Sequence, residues 1–234
     1  AANSQNMYMH PSILGGCFGR AWARRPGWPH NRVYMNTVQE EIAATAARMV
    51  VEEGLEYGPA KRRAVKQLGL NARAQLPNND QVEDAVREYL DLFCADTQPA
   101  ELAALRVLAA VWMERMAAFR PHLGGAVWRG TATGLSDIYL QLFCDDSKSM
   151  EIELINKNLS YEVTTVKGFQ GVAVDALSLH SFCPELGEDI GVHLMIYDHD
   201  DLRGALKPDA QGRTYRGDLQ SLRELLESQH PHAN

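Results

Sequence analysis

Around Pro121–Gly125 the apolar residues of this 234-residue chain stop recurring every third or fourth position and begin to alternate. That change constrains the fold more than any other feature. A helix buries a stripe with a 3.6-residue period, whereas a strand buries every second side chain. A helical first half followed by a mixed second half predicts an α+β chain, with a small mixed sheet backed by helices. The expected divisions are a disordered extension over 1–34, a helical region over 35–122 and an α/β domain over 123–234.

Within the first half, residues 38–53 place Ile42, Ala46, Met49 and Val50 on one stripe, which Gly54 stops. Pro59 suits the opening of a second helix over 59–68, closed by Gly69. Asn78, Asn79 and Asp80 offer N-caps to a helix over about 80–94. The longest helix is expected over about 99–120, with Leu105, Leu108, Trp112, Met116 and Phe119 on its buried face and Pro121 ending it. In the second half, strands are predicted over 126–129, 137–143, 161–166, 176–182 and 190–197. Between them, Ser147 is expected to cap a helix to about Lys157. Residues 198–206 read as a short helix, 208–217 as a loop and 218–227 as a terminal helix.

Charge narrows the function classes. The chain carries −7 at neutral pH, with four of its 23 basic residues and none of its 30 acidic ones in 1–34. The remainder is therefore near −11 and repels phosphate backbones, so nucleic acid is an unlikely partner. The four cysteines are widely spaced and fit neither a zinc motif nor a disulfide framework, which points to a reducing, cytoplasmic setting. No apolar run approaches the roughly 20 residues needed to span a membrane. Residues 1–34 lack periodicity, and Met35 stands where the first helical pattern begins, as a natural start would.

The chemistry-bearing stretch is Gly130-Thr131-Ala132-Thr133-Gly134-Leu135-Ser136-Asp137-Ile138-Tyr139. A tight Gly-Thr turn leads to a strand opening with Ser-Asp. This grammar resembles the active-site motif of the nucleotidyltransferase fold, in which a Gly-Ser or Gly-Thr turn precedes a strand beginning Ser-Asp-x-Asp. The whole of 38–225 also resembles an uncharacterised proteobacterial family of that superfamily. The resemblance rests on Ala46–Gly54 with Ala60–Ala64, on Ser136–Phe143 with Asp145 and Asp146, and on Tyr197–Arg203.

The resemblance implies a nucleotidyltransferase-like domain over 123–234 in a bacterial protein. It also implies a nucleotide partner and Mg2+ carried with a nucleoside triphosphate. Asp137 would be the metal-binding and catalytic acid. Gly130 and Thr131 would cradle phosphate, beside Ser136, Tyr139 and His193.

The residues depart from that pattern where catalysis is most demanding. Two metal ions need several converging carboxylates, which aspartates at i and i+2 of one strand supply. The second position here is Tyr139, whose phenol, with a pKa of about 10, is a poor Mg2+ ligand. The apolar strand 191–197, the natural neighbour, carries His193 where a third acid would stand. Asp145 and Asp146 lie eight and nine residues beyond Asp137, roughly 26 Å along an extended strand, too far to substitute.

The preferred reading is thus a nucleotidyltransferase-fold protein with a degenerate metal site, binding a nucleotide or regulating. One alternative is an active Mg2+-dependent transferase with an atypical acid set. Another is a tetracycline-repressor-like DNA-binding regulator, suggested by the opening helices over 38–70. Among lesser signals, Asp198-His199-Asp200-Asp201 reads as an N-cap rather than a metal site. Lys61, Arg62, Arg63 and Lys66 read as a solvated helix face, and His230 and His232 as part of a frayed tail. The sequence has neither a P-loop nor a Gly-x-Ser-x-Gly elbow.

Overall fold

The first three helices form a small bundle with a core of its own. They are α1 (Thr37–Glu53), α2 (Tyr57–Gln67) and α3 (Asn79–Phe93). Ile42, Ala46, Ala60, Ala64, Val82 and Val86 are completely buried there, and the alanines let the helix axes approach closely. Gly54 ends α1 in a left-handed conformation, φ +68°, its N–H donating to the Val50 carbonyl. A reciprocal capping box opens α3: the Asn78 side chain accepts from the Gln81 N–H, and the Gln81 side chain accepts from the Asn78 N–H. This computed structural model describes residues 37–168, 171–208, 212 and 214–229. The expected disorder over 1–34 and the tail histidines His230 and His232 lie outside the described residues.

Helix α4 (Gln98–Arg115) starts with Pro99 in its first turn and buries Leu105, Ala109, Trp112 and Met113. It stops five residues before the expected end. A 3-10 turn over Ala117–Phe119 follows, and Arg120 turns left-handed at φ 48° ahead of Pro121.

The second half adds β1 (His122–Gly124), α5 (Gly125–Arg129), β2 (Ile138–Phe143), α6 (Ser147–Asn156), β3 (Glu162–Lys167) and β4 (Ala173–Cys183). It continues with β5 (Glu188–Tyr197), α7 (Leu202–Ala205), β6 (Arg216–Gly217) and α8 (Leu219–Gln229). The six strands form one sheet in the order β3-β4-β5-β2-β1-β6. The sheet is mixed: β2 and β5 run parallel, and the other neighbours run antiparallel. The chain is α+β, a helical N-terminal region followed by a mixed sheet with helices.

Three local expectations change. Residues 126–129 are a helix rather than a strand. Gly125 leaves β1 at φ +68°, and Gly130 closes the single turn at φ +82° with its N–H on the Ala126 carbonyl. Four residues, three of them apolar, are too few for periodicity to separate the two states. The cap of α6 is Asp146, whose carboxylate accepts the Lys148 N–H, and not Ser147. The region expected as a loop over 208–217 contributes the two-residue β6 at its end. Gly217 lies flat under Trp128 there, since a Cβ would come within 2.0 Å of the indole.

One face of the sheet is covered. Ile138, Leu140 and Leu142 of β2, Leu177 and Leu179 of β4, and Val192, Leu194 and Ile196 of β5 point into a core shared with α4, α6 and α8. On the opposite face, Phe143 and Tyr197 pack against Ala205 and Leu202 at one end. The opening helices lead into a six-stranded sheet, not into the helical ligand domain that a tetracycline-repressor-like regulator carries.

Candidate functional site

The partly open face is organised by register. β2 and β5 pair Tyr139 with His193, and β4 and β5 pair Ser178 with His193. Because alternate residues share a face, Ser178, His193 and Tyr139 form a row across three strands. Asp137, one residue before β2, reaches that row from its end.

Hydrogen bonds join the row into a chain. Asp137 Oδ2 lies 3.1 Å from His193 Nε2, and His193 Nδ1 lies 2.8 Å from Ser178 Oγ. The hydrogen bond from His193 is the main influence holding the Asp137 carboxyl below the usual carboxylate range; the Gly191 N–H adds to it, and partial burial opposes both. An ionised carboxylate can only accept, so neutral His193 carries its proton on Nε2. Its Nδ1 then accepts the Ser178 hydroxyl proton. The tautomer is thus assigned by the partners.

Two features hold this chain in place. The Tyr139 ring stacks on the His193 ring at a centroid distance of 4.8 Å and an interplanar angle of 23°. The Tyr139 hydroxyl donates to Glu56 Oε1, 3.4 Å away in the connection between α1 and α2. Burial, together with the charges of Glu56 and Asp137, pushes the phenol up to about 12, so it stays protonated. The second feature is Gly191, over which the Asp137 carboxylate sits. A Cβ at 191 would stand 2.5 Å from Asp137 Oδ1 and 2.7 Å from Cγ.

The other sequence-derived candidates serve the loop that delivers Asp137. Thr131 is 3% exposed and its hydroxyl is buried. The carbonyls of Gly130 and Ala132 accept from the Gln98 side chain. Arg106 donates to the Val127 and Trp128 carbonyls, and Arg87 to that of Arg129. Glu101 accepts the Gly134 N–H, and Ser136 Oγ accepts the Thr133 N–H. Gly130, Thr131 and Ser136 are thus bound into a rigid turn. Thr131, expected to face phosphate, is buried, with the Gln98 side chain of α4 bonded to the carbonyls on either side of it.

Ser178, Gly191 and Glu56 were missed by sequence reasoning. The first had a readable signal: counting back from the four-residue turn 184–187 between β4 and β5 pairs Ser178 with His193. Glu56 had none, since its meeting with Tyr139 is set by how the bundle docks. The lesser signals fall on their structural readings. Asp198 caps the turn His199–Asp201 by accepting the Asp200 N–H. Lys61 bonds the Pro77 carbonyl and Asn79, while Arg63 pairs with Glu53.

The arrangement does not fit a pair of catalytic metal ions. Asp137 brings one carboxylate, already engaged by His193, and the facing positions carry a phenol and an imidazole stacked together. Among the described residues no group of three or more His, Cys, Asp or Glu side chains is placed to hold a metal ion. The site is an open face rather than a cavity. A cavity of about 350 Å³ at the far end of β5 is lined by Val174, Tyr197 and Asp198 and does not include it.

No protein-family model matches the chain, and neither does any curated protein. Among solved structures, the chain is similar to a poly(U) polymerase whose crystal structure has MgGTP bound, at 15% sequence identity and a TM-score of 0.29. The likeness covers 43% of this chain and 32% of the polymerase, so the chain matches about a third of that protein's length. Among the described residues, no helix is long and apolar enough to cross a membrane.

Proposed function

We propose that this is a nucleotidyltransferase-like protein whose metal site has been replaced by a hydrogen-bonded side-chain network. In this reading it binds a nucleotide and regulates rather than transfers. The observation that carries the proposal is the facing pair Tyr139 and His193. They occupy the two positions beside Asp137 where the fold's chemistry asks for further acids, and they stack on one another instead. Nucleotidyl transfer needs carboxylates that gather positive charge around the reacting phosphates. This network supplies one carboxylate and spends it on an imidazole.

Nucleotide binding is supported by what the face offers. Base-sized aromatic surface stands beside hydrogen-bonding side chains, Ser178 and the exposed His180, on an open strand surface. In this reading Mg2+ is carried by the triphosphate, and Asp137 is the acid that would meet it. The setting in this reading is the cytoplasm, to which the cysteine spacing points, of a bacterium, which the family resemblance implies.

Calorimetric titration with nucleoside triphosphates, in Mg2+ and again in chelator, tests the reading. Binding that survives chelation supports it; no heat with any triphosphate removes it. An active transferase would instead move label from a nucleotide to an acceptor and lose that activity in Asp137→Ala.

A further inference from the structure

We propose that Ser178 is a base-activated nucleophile and that the open sheet face carries out acyl transfer from small carboxylic esters. This activity uses the same face as the proposed nucleotide binding but is read out independently of it. Three observations converge on it. The Ser178 hydroxyl lies 2.8 Å from His193 Nδ1 and the opposite ring nitrogen lies 3.1 Å from Asp137, both within the range of a working nucleophile, base and orienting acid. The ionised Asp137 fixes the tautomer that leaves a lone pair facing the serine. The third is that the imidazole is clamped: Tyr139 stacks on one side, and Asp137 is seated over Gly191, where no side chain intervenes.

The residues come from β4, β5 and the start of β2, so no local motif announces them; recognition here is by geometry, not by an elbow sequence. His193 is partly exposed, with a quarter of its side chain open to solvent, and Asp137 nearly half. Ser178 is half-buried on the same face. An ester therefore has access to the chain.

The chemistry balances with water as the co-reactant. Ser178 Oγ bonds to the ester carbonyl carbon as its proton passes to His193 Nδ1. The alkoxide leaves, takes that proton and departs as an alcohol. Water then adds to the acyl-serine, giving its proton to the same nitrogen, and the carboxylic acid leaves with Ser178 restored. His193 is the catalytic base and Asp137 a positioning residue. The face also carries His180, which acts electrostatically on Asp137, and Glu56 at the Tyr139 hydroxyl.

An alkyl fluorophosphonate, which captures base-activated serines, is the direct probe. The whole chain should be labelled on the peptide containing Ser178, and Ser178→Ala should abolish labelling. His193→Gln, which keeps the volume and a hydrogen bond, should slow it about a hundredfold, the usual contribution of a general base. Asp137→Asn favours the wrong tautomer, and should slow it by up to about 10⁴-fold and shift its pH profile, a change a merely structural role would not cause. Far-ultraviolet circular dichroism checks that each variant keeps its fold. Absence of label on Ser178 in the unaltered protein, or label at the same rate in His193→Gln, overturns the proposal. Calorimetry with nucleotides reads the binding function separately, so either idea can fail alone.

Discussion

The two faces of the sheet are built from the same strands and obey different rules. On the covered face Leu140 and Leu194 are completely buried among aliphatic neighbours, and any residue of like shape would do. On the other face, displaced by one residue along each strand, stand Tyr139 and His193; the imidazole is joined to Asp137 and Ser178 by directional bonds, and the phenol ring stacks on it. Burial is additive and tolerant of chemistry; a hydrogen-bonded chain depends on each member. Substitutions on the first face should therefore cost stability, and substitutions on the second should cost binding or reactivity.

The largest stability effect expected is on the covered face. Leu194→Ala should remove about 3 kcal/mol, the usual result of emptying a fully buried leucine site, read from urea unfolding. Nucleotide affinity per folded molecule should be unchanged. A loss of affinity with no loss of stability would break the distinction between the faces.

Gly191→Ala comes next. The new methyl group collides with the Asp137 carboxylate, so the Asp137–His193 bond must break or the strand must shift. The expected cost is about 1–3 kcal/mol, in the range of small-to-large changes in packed sites. The His193 ring nitrogens should shift in the nitrogen-15 spectrum. Adding Asp137→Ala removes the collision, so the double variant should be less destabilised than the sum of the singles.

Tyr139→Ala tests the stack. Losing an aromatic pair on a half-open surface should cost about 1 kcal/mol of stability, while nucleotide affinity falls by a much larger proportion. Equal losses of both would make Tyr139 a packing residue only.

Much of this contrast is legible in the sequence, for a physical reason. Alternation in β2, β4 and β5 marks the covered face because burial acts on each strand independently. The long apolar stripe of α4 and the capping residues of α3 are readable for the same reason. What stays hidden depends on two segments meeting. The apolar pattern of short α5 suggests a strand, whereas its turn is decided by the left-handed conformations of Gly125 and Gly130. That Thr131 is buried depends likewise on how the loop meets its neighbours. The placement of His193 beside Tyr139 followed from the motif, whereas Glu56 came from the bundle.

The smallest effect concerns acid. The carboxyl of Asp137 has its pKa depressed in the folded protein, chiefly by His193. Its stabilising contribution is therefore present above the unfolded carboxylate value of about 3.9 and is lost as pH falls through the lower folded value. Asp137→Asn should flatten that part of the stability–pH curve, with the two proteins converging below it. A curve of unchanged slope would mean that the Asp137–His193 bond does not persist in solution.

The central claim is that this face has exchanged a metal site for a side-chain network while keeping a nucleotide. Isothermal calorimetry with nucleoside triphosphates, run once with Mg2+ and once with chelator, tests it most directly. The account predicts heat in both, with similar affinity, and a strong loss in Tyr139→Ala. Heat that vanishes with chelator, or no heat with any triphosphate, would contradict it.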